Sequence, residues 1–326
     1  MKEILISKNE AGQRFDKWLA KYMSKAPKSF FYKMLRKKNI TLNAKKAEGN
    51  EKLVEGDIVR FFLADDTIQN FREEVELLSA CDTLDVIYED ENVLLIHKPV
   101  GILSQRAEKE DISLVEMIIS YMIHSNQLSL SELETFKPSI CNRLDRNTSG
   151  LVVAGKSLAG LQEMAQLFQN RSLHKYYRCL VKGEMKTGAA IKGYLLKDEK
   201  TNKVTISYKL PSRMDKKDMD YIETQYEPIL SKNGFTLLEV LLVTGKTHQI
   251  RAHLASIGHP LVGDFKYGDK SINERFKKEF GLTYQLLHAY RLEFPVIEGV
   301  CANLSEKTFL CELEKEFDKI CKQVLR

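Results

Sequence analysis

Apolar residues recur along the first sixty positions with a helical period. In RFDKWLAKYMS (14–24), Phe15, Trp18, Leu19, Tyr22 and Met23 fall at i, i+3, i+4, i+7 and i+8, one face of a helix. Pro27 interrupts the pattern, and KSFFYKMLRKKNI (28–40) predicts a second helix with Ser29 as its N-cap. On that helix Phe31 and Leu35 share one side while Lys33, Arg36 and Lys37 share another, because spacings of three and four bring side chains together. NITLN (39–43) predicts a short strand, and the alternation in EGDIVRFFL (55–63) a second one entered through a turn.

The pattern then changes. Residues 64–80 are polar and acidic, as a tether would be, and a long α/β alternation follows. LDVIYEDENVLLIHKP (84–99) predicts a hairpin around Asp90-Glu91-Asn92. SLVEMIISYMI (113–123) predicts a helix, 124–139 a polar loop, LVVA (151–154) a strand, and SLAGLQEMAQLFQ (157–169) an amphipathic helix. KYYRCLVKG (175–183) and FTLLEVLLVTG (235–245) predict strands. THQIRAHLASIG (247–258) predicts a helix opened by Thr247 and closed by Gly258. These elements divide the chain into a module at 1–62, a linker at 63–82 and a body at 83–326. By themselves the strands support no finer fold class than α/β.

Composition narrows the classes. A chain of 326 residues has room for about two domains and needs no cross-links to build a core. At 43% hydrophobic and 29% charged it is ordinary for a globular protein. No apolar run approaches the roughly 18 residues of a membrane span, and MKEILISKNE lacks the features of a secretory signal. A cytoplasmic protein without a membrane partner is expected. The six cysteines (Cys81, Cys141, Cys179, Cys301, Cys311, Cys321) are scattered with no C-x-x-C pair, a pattern of reduced thiols near a core that gives no support to a metal site.

The net charge of +5 is unevenly placed, for residues 1–60 hold 15 Lys and Arg against 7 Asp and Glu. A basic surface often only keeps a protein soluble. Here the basic cluster coincides with two short helices and a small β-turn unit, which suits a handle for a polyanion. The module resembles the αL-motif RNA-binding domain shared by a small-subunit ribosomal protein and tyrosyl-tRNA synthetase. The residues that carry this are Arg14, Asp16, Lys17, Leu19, Lys28, Leu35, Arg36, Ile40, Asn43 and the Gly56-Asp57 turn. Arg14, Lys17, Lys28, Lys33, Arg36 and Lys37 are its candidate RNA contacts.

Residues 150–157 (GLVVAGKS) match the phosphate-loop pattern G-x-x-x-x-G-K-[ST]. Such a loop follows an apolar strand and curls its backbone around phosphates. Here the preceding residues (NRLDRNTS) are polar and the four enclosed ones are Leu, Val, Val and Ala, which favour a strand leading into a helix. A nucleotide hydrolase is therefore a minor alternative.

Three segments carry candidate chemistry. In 142–150 (NRLDRNTSG) Asp145 stands between Arg143 and Arg146, cations that favour the charged form of a carboxylate; taken alone the segment also reads as a polar turn. In 244–251 (TGKTHQIR) a strand end turns into a helix whose first turns carry Arg251; alone this is equally a surface cation. His248, His253 and His259 cluster in sequence, but 248 and 253 do not share a helix face, so they read as hydrogen-bonded or solvated side chains. In 175–183 Tyr177 and Cys179 share a strand face while Tyr176 points away, and a core tyrosine is the plain reading.

Taken together the three segments resemble the signature motifs of the RluA-type pseudouridine synthases, close to the branch that modifies large-subunit ribosomal RNA. H-R-L-D-x-x-T-S-G-L appears as residues 142–151, K-x-Y-x-x-L-V-x-G as 175–183, T-G-R-T-H-Q-I-R as 244–251 followed by HLASIGHPLVGD, and L-H-A as 287–289. With the basic module in front, the resemblance spans nearly the whole chain. It implies a mixed, largely antiparallel catalytic sheet with flanking helices, classed α/β (α+β), and a monomer that isomerises uridine to pseudouridine in structured RNA. Asp145 would be the nucleophile, Tyr177 the active-site tyrosine and Arg251 the partner of the aspartate. Arg143 would lie near the flipped nucleotide, with Arg146, Lys246, His248 and Gln249 as further RNA-facing residues. The reaction adds and removes no group, so no cofactor or metal is expected. The base must first leave its stack, which is cheapest in loops and bulges.

Four positions depart from the family pattern: Asn142 for His, Asn147 for Asp, Lys246 for Arg, and Gln105 for the His that ends an early K-P-x-G-x-x-x-H pattern. None removes the expected nucleophile or its partner. The alternative from another class is a catalytically inactive RNA-binding or ribosome-assembly factor on the same fold.

Overall fold

In the computed structural model, residues 1–72, 83–108, 110–198, 201, 203–209 and 219–326 are described. The first unit comprises β1 (Lys2–Leu5), α1 (Phe15–Tyr22), α2 (Lys28–Arg36), β2 (Ile40–Leu42), β3 (Ile58–Phe61) and α3 (Asp65–Asn70). Its three strands form an antiparallel sheet in the order β1-β3-β2. The helical stripe of the sequence becomes its core: Phe15, Trp18, Leu19, Tyr22 and Met23 are buried with Phe31, Leu35, Val59 and Phe61. Trp18 stacks on Tyr22 with ring centroids 5.3 Å apart.

Two expectations are corrected here. Pro27, not Ser29, occupies the N-cap of α2, with extended backbone (φ −68°, ψ 147°) and no side-chain cap; proline's fixed φ and missing N–H suit a helix start. The segment expected to begin the linker is instead helical, and Ile68 and Phe71 pack into the first unit's core. Apolar residues embedded in an acidic stretch hid this. Residues 73–82 of the expected linker, including Cys81, lie outside the described residues.

The second unit comprises β4 (Val86–Glu89), β5 (Val93–Lys98), α4 (Leu114–His124), β6 (Ser139–Ile140), β7 (Ser149–Gly155), α5 (Leu158–Gln169), β8 (His174–Lys182), β9 (Ala189–Asp198), β10 (Lys203–Ser207), β11 (Met219–Lys232), β12 (Phe235–Leu242), α6 (Gln249–Ser256), α7 (Lys270–Phe280), β13 (Leu287–Glu293), β14 (Thr308–Leu310) and α8 (Lys315–Val324). Among the described residues one eleven-stranded sheet runs β10-β9-β11-β12-β8-β13-β7-β5-β4, with β14 beside β13 and β6 beside β7. Its pairs are antiparallel except β13–β7, so the sheet is mixed and largely antiparallel, as expected.

Its central strands are covered on both faces, and alternate residues feed different cores. On β7, Val152 and Ala154 join one cluster while Leu151 and Val153 join the other. This settles the phosphate-loop alternative, because 149–155 is a fully buried strand and Ser157 caps α5 by accepting from Gly160. Gly150 (φ +115°) lies so close to β13 that a Cβ would sit 2.2 Å from the Ala289 carbonyl oxygen. Only glycine permits that approach, and it brings the chain after Asp145 down onto the central strands. The described cysteines are free thiols, four buried and Cys141 half-buried. No helix among the described residues is long and apolar enough to cross a membrane.

Candidate active site

Asp145 sits in the loop that joins β6 to β7. The loop is anchored from below. The Ser104 hydroxyl donates to the Leu144 carbonyl (2.6 Å) and accepts the Leu144 N–H (3.0 Å). The ammonium of Lys98, a fully buried residue, donates to the carbonyls of Pro99, Ile102 and Arg146 at 3.0, 2.9 and 3.1 Å. Burial pushes the Lys98 pKa down to about 8, against the opposing pull of Asp145. Asn142 spends its amide on β7, accepting the Val153 N–H at 2.8 Å and donating to the Leu151 carbonyl at 3.3 Å. The residue standing in place of the family's histidine thus continues the sheet ladder.

Arg251, on α6, lies between two carboxylates. Nε and Nη2 donate to the Asp264 oxygens at 2.7 and 2.9 Å, and Nη1 donates to Asp145 Oδ2 at 2.7 Å. The exposures give this chain a direction: the side chains of Asp264 and Arg251 are 0% and 9% accessible, that of Asp145 26%. The open end is the Asp145 carboxylate. Burial alone would raise the Asp264 carboxyl, but the Arg251 guanidinium and the N–H groups of Lys266 and Tyr267 outweigh it and hold it below the usual range. Tyr267 also lies under Arg251, 5.3 Å from ring centroid to guanidinium, and its hydroxyl bonds His248 Nδ1 at 3.0 Å. His248 Nε2 comes to 3.9 Å from Asp145 Oδ2. Burial lowers the His248 pKa, with Asp145 opposing.

Tyr177 rises from β8 on the same face as Cys179, both in the core cluster under the site, while Tyr176 turns away beneath Arg291, 3.8 Å from its ring centroid. Burial first, then the charge of Asp145, raises the Tyr177 phenol. Asp145, Tyr177 and Arg251 line one cleft of about 860 Å³. Its lining carries Arg106, Arg143, Arg146, Arg171, Lys175, Lys246 and Arg251, and Asp145 is its only acid among the described residues. Such a cleft draws in an anion and presents a single carboxylate to it.

The other expected residues separate into groups. Arg143 is exposed at the cleft and, among the described residues, has no protein partner. Arg146 braces the Gly101 carbonyl (3.0 Å), and Lys246 pairs with Asp220 (2.6 Å). Gln249 does not face outward. It is 2% exposed and wholly engaged, accepting from Thr244 and Lys246 and donating to the Glu223 carbonyl and Thr224, so its expected RNA contact is withdrawn. Thr247 does not open α6 either; His248 precedes the helix in the left-handed region (φ 54°). On the first unit Lys17, Lys28, Lys33, Arg36 and Lys37 are exposed, while Arg14 is held bidentately by Asp16 at 3.0 and 2.8 Å.

Sequence reasoning missed Lys98, Asp264 and Tyr267. Signals existed for the first two, in the K-P-x-G start at Lys98 and the aspartate ending HPLVGD. Among the described residues no group of His, Cys, Asp or Glu gathers as a metal site would.

Residues 92–256 match the RNA pseudouridylate synthase family. The chain is 32% identical over 305 residues to an uncharacterised RNA pseudouridine synthase of Mycoplasma genitalium, covering 91% of this chain and 90% of that protein. It is 30% identical to ribosomal large subunit pseudouridine synthase C of Pasteurella multocida, covering 90% and 86%. The solved structure of human RNA pseudouridylate synthase domain containing 4 superposes with a TM-score of 0.59 at 22% identity, over 74% of this chain and 92% of that one, a likeness of fold.

Proposed function

Because the chain belongs to the RNA pseudouridylate synthase family, as its likeness to RluA-type enzymes implies, we propose that it isomerises chosen uridines of large-subunit ribosomal RNA with Asp145 as the nucleophile. The observation that carries this is the one-ended chain Asp264–Arg251–Asp145, whose accessible carboxylate is, among the described residues, the only acid lining a cationic cleft. The large-subunit substrate is supported by the names of relatives such as the Pasteurella enzyme.

The reaction breaks the bond between the ribose and uracil N1, turns the base, and joins the ribose to C5. One proton leaves C5 and one is gained at N1, so nothing is added overall and the reading needs neither metal nor cofactor. Attack at uracil C6 or at the ribose both require an ionised carboxylate, and either divides a hard step into two easier ones. Arg251 would aim the Asp145 oxygen by a charge-assisted bond. Tyr177 would pack on the base beside the carbon that loses its proton. Arg143 would meet the RNA next to the extruded nucleotide, and the first unit would act as an αL-type RNA-binding module on the phosphate backbone. The same reading makes the protein a cytoplasmic monomer.

The test is turnover on an unmodified transcript of large-subunit ribosomal RNA, digested to nucleosides and analysed by mass spectrometry. The wild type is expected to form pseudouridine, and Asp145→Asn none while binding RNA within about threefold. Pseudouridine formed by Asp145→Asn at the wild-type rate would overturn the nucleophile. A wild type that binds the RNA yet changes no uridine would favour the assembly factor.

A further inference from the structure

Two cations in the cleft are left without a role by the chemistry above. Arg171 follows α5 and Lys175 begins the buried part of β8. Both line the cleft, and among the described residues neither has an acidic partner. Most other cations at the rim are spoken for: Lys246 by Asp220, Arg146 by the Gly101 carbonyl, Arg106 by Glu116 (2.8 Å).

Lys175 is half-buried, its ammonium 5.8 Å from the Phe168 ring centroid. Burial, then the neighbouring Arg171 charge, lowers its pKa. It also reaches the turn that precedes the catalytic helix, for a Cβ on Gly245 would lie 3.1 Å from its Nζ. The bare glycine leaves room there. Arg171 holds a left-handed backbone (φ 61°), a conformation that L residues other than Asn and Asp seldom adopt. Two like charges brought together, one partly desolvated and one on a strained turn, cost stability unless an anion joins them.

Direction along β8 supplies the rest. Lys175 and Tyr177 are two residues apart on one strand face, roughly 7 Å along the strand. That is about one nucleotide step. We infer that Arg171 and Lys175 form a subsite for one phosphodiester of the RNA strand, a nucleotide step from the base that meets Tyr177. The inference rests on the reading of the chain as an RNA-modifying enzyme and adds which residues register the strand on it. A guanidinium fork beside an ammonium suits a phosphate oxygen pair, and such contacts fix register without reading sequence.

The test compares the full-length wild type with Arg171→Gly, Lys175→Gln, the double variant and Lys175→Arg. Arg171→Gly removes the cation and relieves the backbone, and Arg171 is exposed, so this variant keeps the experiment interpretable if Lys175→Gln folds poorly. Lys278→Ala, an exposed cation on α7, is the control. The probe is the unmodified large-subunit transcript, and the readout is affinity across a potassium chloride series. Neutralising one phosphate contributes about 0.7 to the salt slope on single-stranded RNA. The double variant is expected to lose about that much slope and to bind roughly tenfold more weakly at low salt, while Lys175→Arg, which keeps the charge, keeps the wild-type slope. An unchanged slope in the double variant, or an equal loss in Lys278→Ala, would overturn the subsite. Failure of the wild type to make pseudouridine is a separate result that would overturn the enzyme reading, while the slopes are read on the same RNA either way.

Discussion

Arg251 grips Asp264 through two hydrogen bonds, from Nε at 2.7 Å and from Nη2 at 2.9 Å, and this leaves Nη1 as the one arm that reaches Asp145. Asp264 does not itself line the cleft, yet by holding Arg251 it fixes where the arginine points. Gly263 (φ +79°) makes the arrangement possible, since a Cβ there would lie 2.0 Å from the Tyr284 carbonyl oxygen. Asp264→Asn leaves a buried guanidinium facing an amide. Breaking a buried pair in this way costs about 3–5 kcal/mol, and misaiming a reacting group costs on the order of 100-fold in rate. We expect a lower melting temperature and a kcat reduced about 100-fold, with RNA affinity less affected. A folded Asp264→Asn enzyme with wild-type kcat would show that Arg251 aims itself.

Tyr177 carries the second prediction. Its phenol is raised by burial and then by the negative charge of Asp145, so the resting group is protonated and a poor base. In the proposed mechanism, bond formation by Asp145 would remove its charge, and one of the two causes of the shift with it. The phenol then gives up its proton more readily, so it can form the phenolate that serves as a base more easily late in the proposed reaction than early. Tyr177→Phe keeps the ring and removes the oxygen, so it should bind RNA normally and turn over about 100-fold more slowly, the lower end of general acid–base effects. Kinetics with trapped RNA–protein adducts would check this: the adduct should accumulate in the variant. Loss of adduct formation itself would place the hydroxyl before the first bond, not after it.

The motif residues Asp145, Tyr177 and Arg251 were legible because each stands in a local pattern of unusual residue types, and the folded chain gathers them although Asp145 and Arg251 are 106 residues apart. What patterns do not show is which neighbour a side chain chooses. Gln249 looked like a polar residue at a helix start, but its amide closes the junction between β11 and α6. Thr247 looked like a cap, yet a left-handed His248 makes the turn and thereby brings its ring toward Asp145. Ile68 and Phe71 were too sparse in an acidic stretch to signal a core. Strands β9 and β10 went unassigned because their exposed residues break the apolar alternation that the central strands show.

Two buried histidines are expected to weaken the fold in acid. His253 bonds Thr224 Oγ1 at 3.0 Å, and His288 lies between Ser149 Oγ at 2.8 Å and the Cys311 carbonyl at 3.1 Å. Burial lowers both to about 4. For a base lowered on folding, the unfolded chain binds the proton first. Stability is therefore whole above the unfolded value of about 6.5 and falls as pH drops from there toward 4, on the order of 2–3 kcal/mol per histidine. Urea midpoints should decline through that window, and His253→Gln should shallow the decline. A midpoint flat from pH 7 to 4.5 would show that neither histidine is held neutral.

The boundary of the first unit can be tested by where it is cut. Among the described residues its buried core draws only on those between Ile4 and Phe71, with no side chain shared with the clusters of the second unit. Removing residues 1–62 would strand Ile68 and Phe71, the latter packed on Phe30 at 4.7 Å between ring centroids, whereas removing 1–72 takes the whole core away. The second deletion should therefore be the better behaved, with a single melting transition and no concentration-dependent association. It also removes the exposed cations Lys17, Lys28, Lys33, Arg36 and Lys37. Each phosphate that is no longer neutralised lowers the salt slope by about 0.7–0.9, so a slope smaller by about 2 or more and a marked drop in affinity are expected for the 1–72 deletion. Turnover on a short RNA hairpin should survive in part, since Asp145, Tyr177 and Arg251 all belong to the remaining unit. An unchanged slope would mean that the basic helix faces solvent, and that the cleft alone holds the RNA.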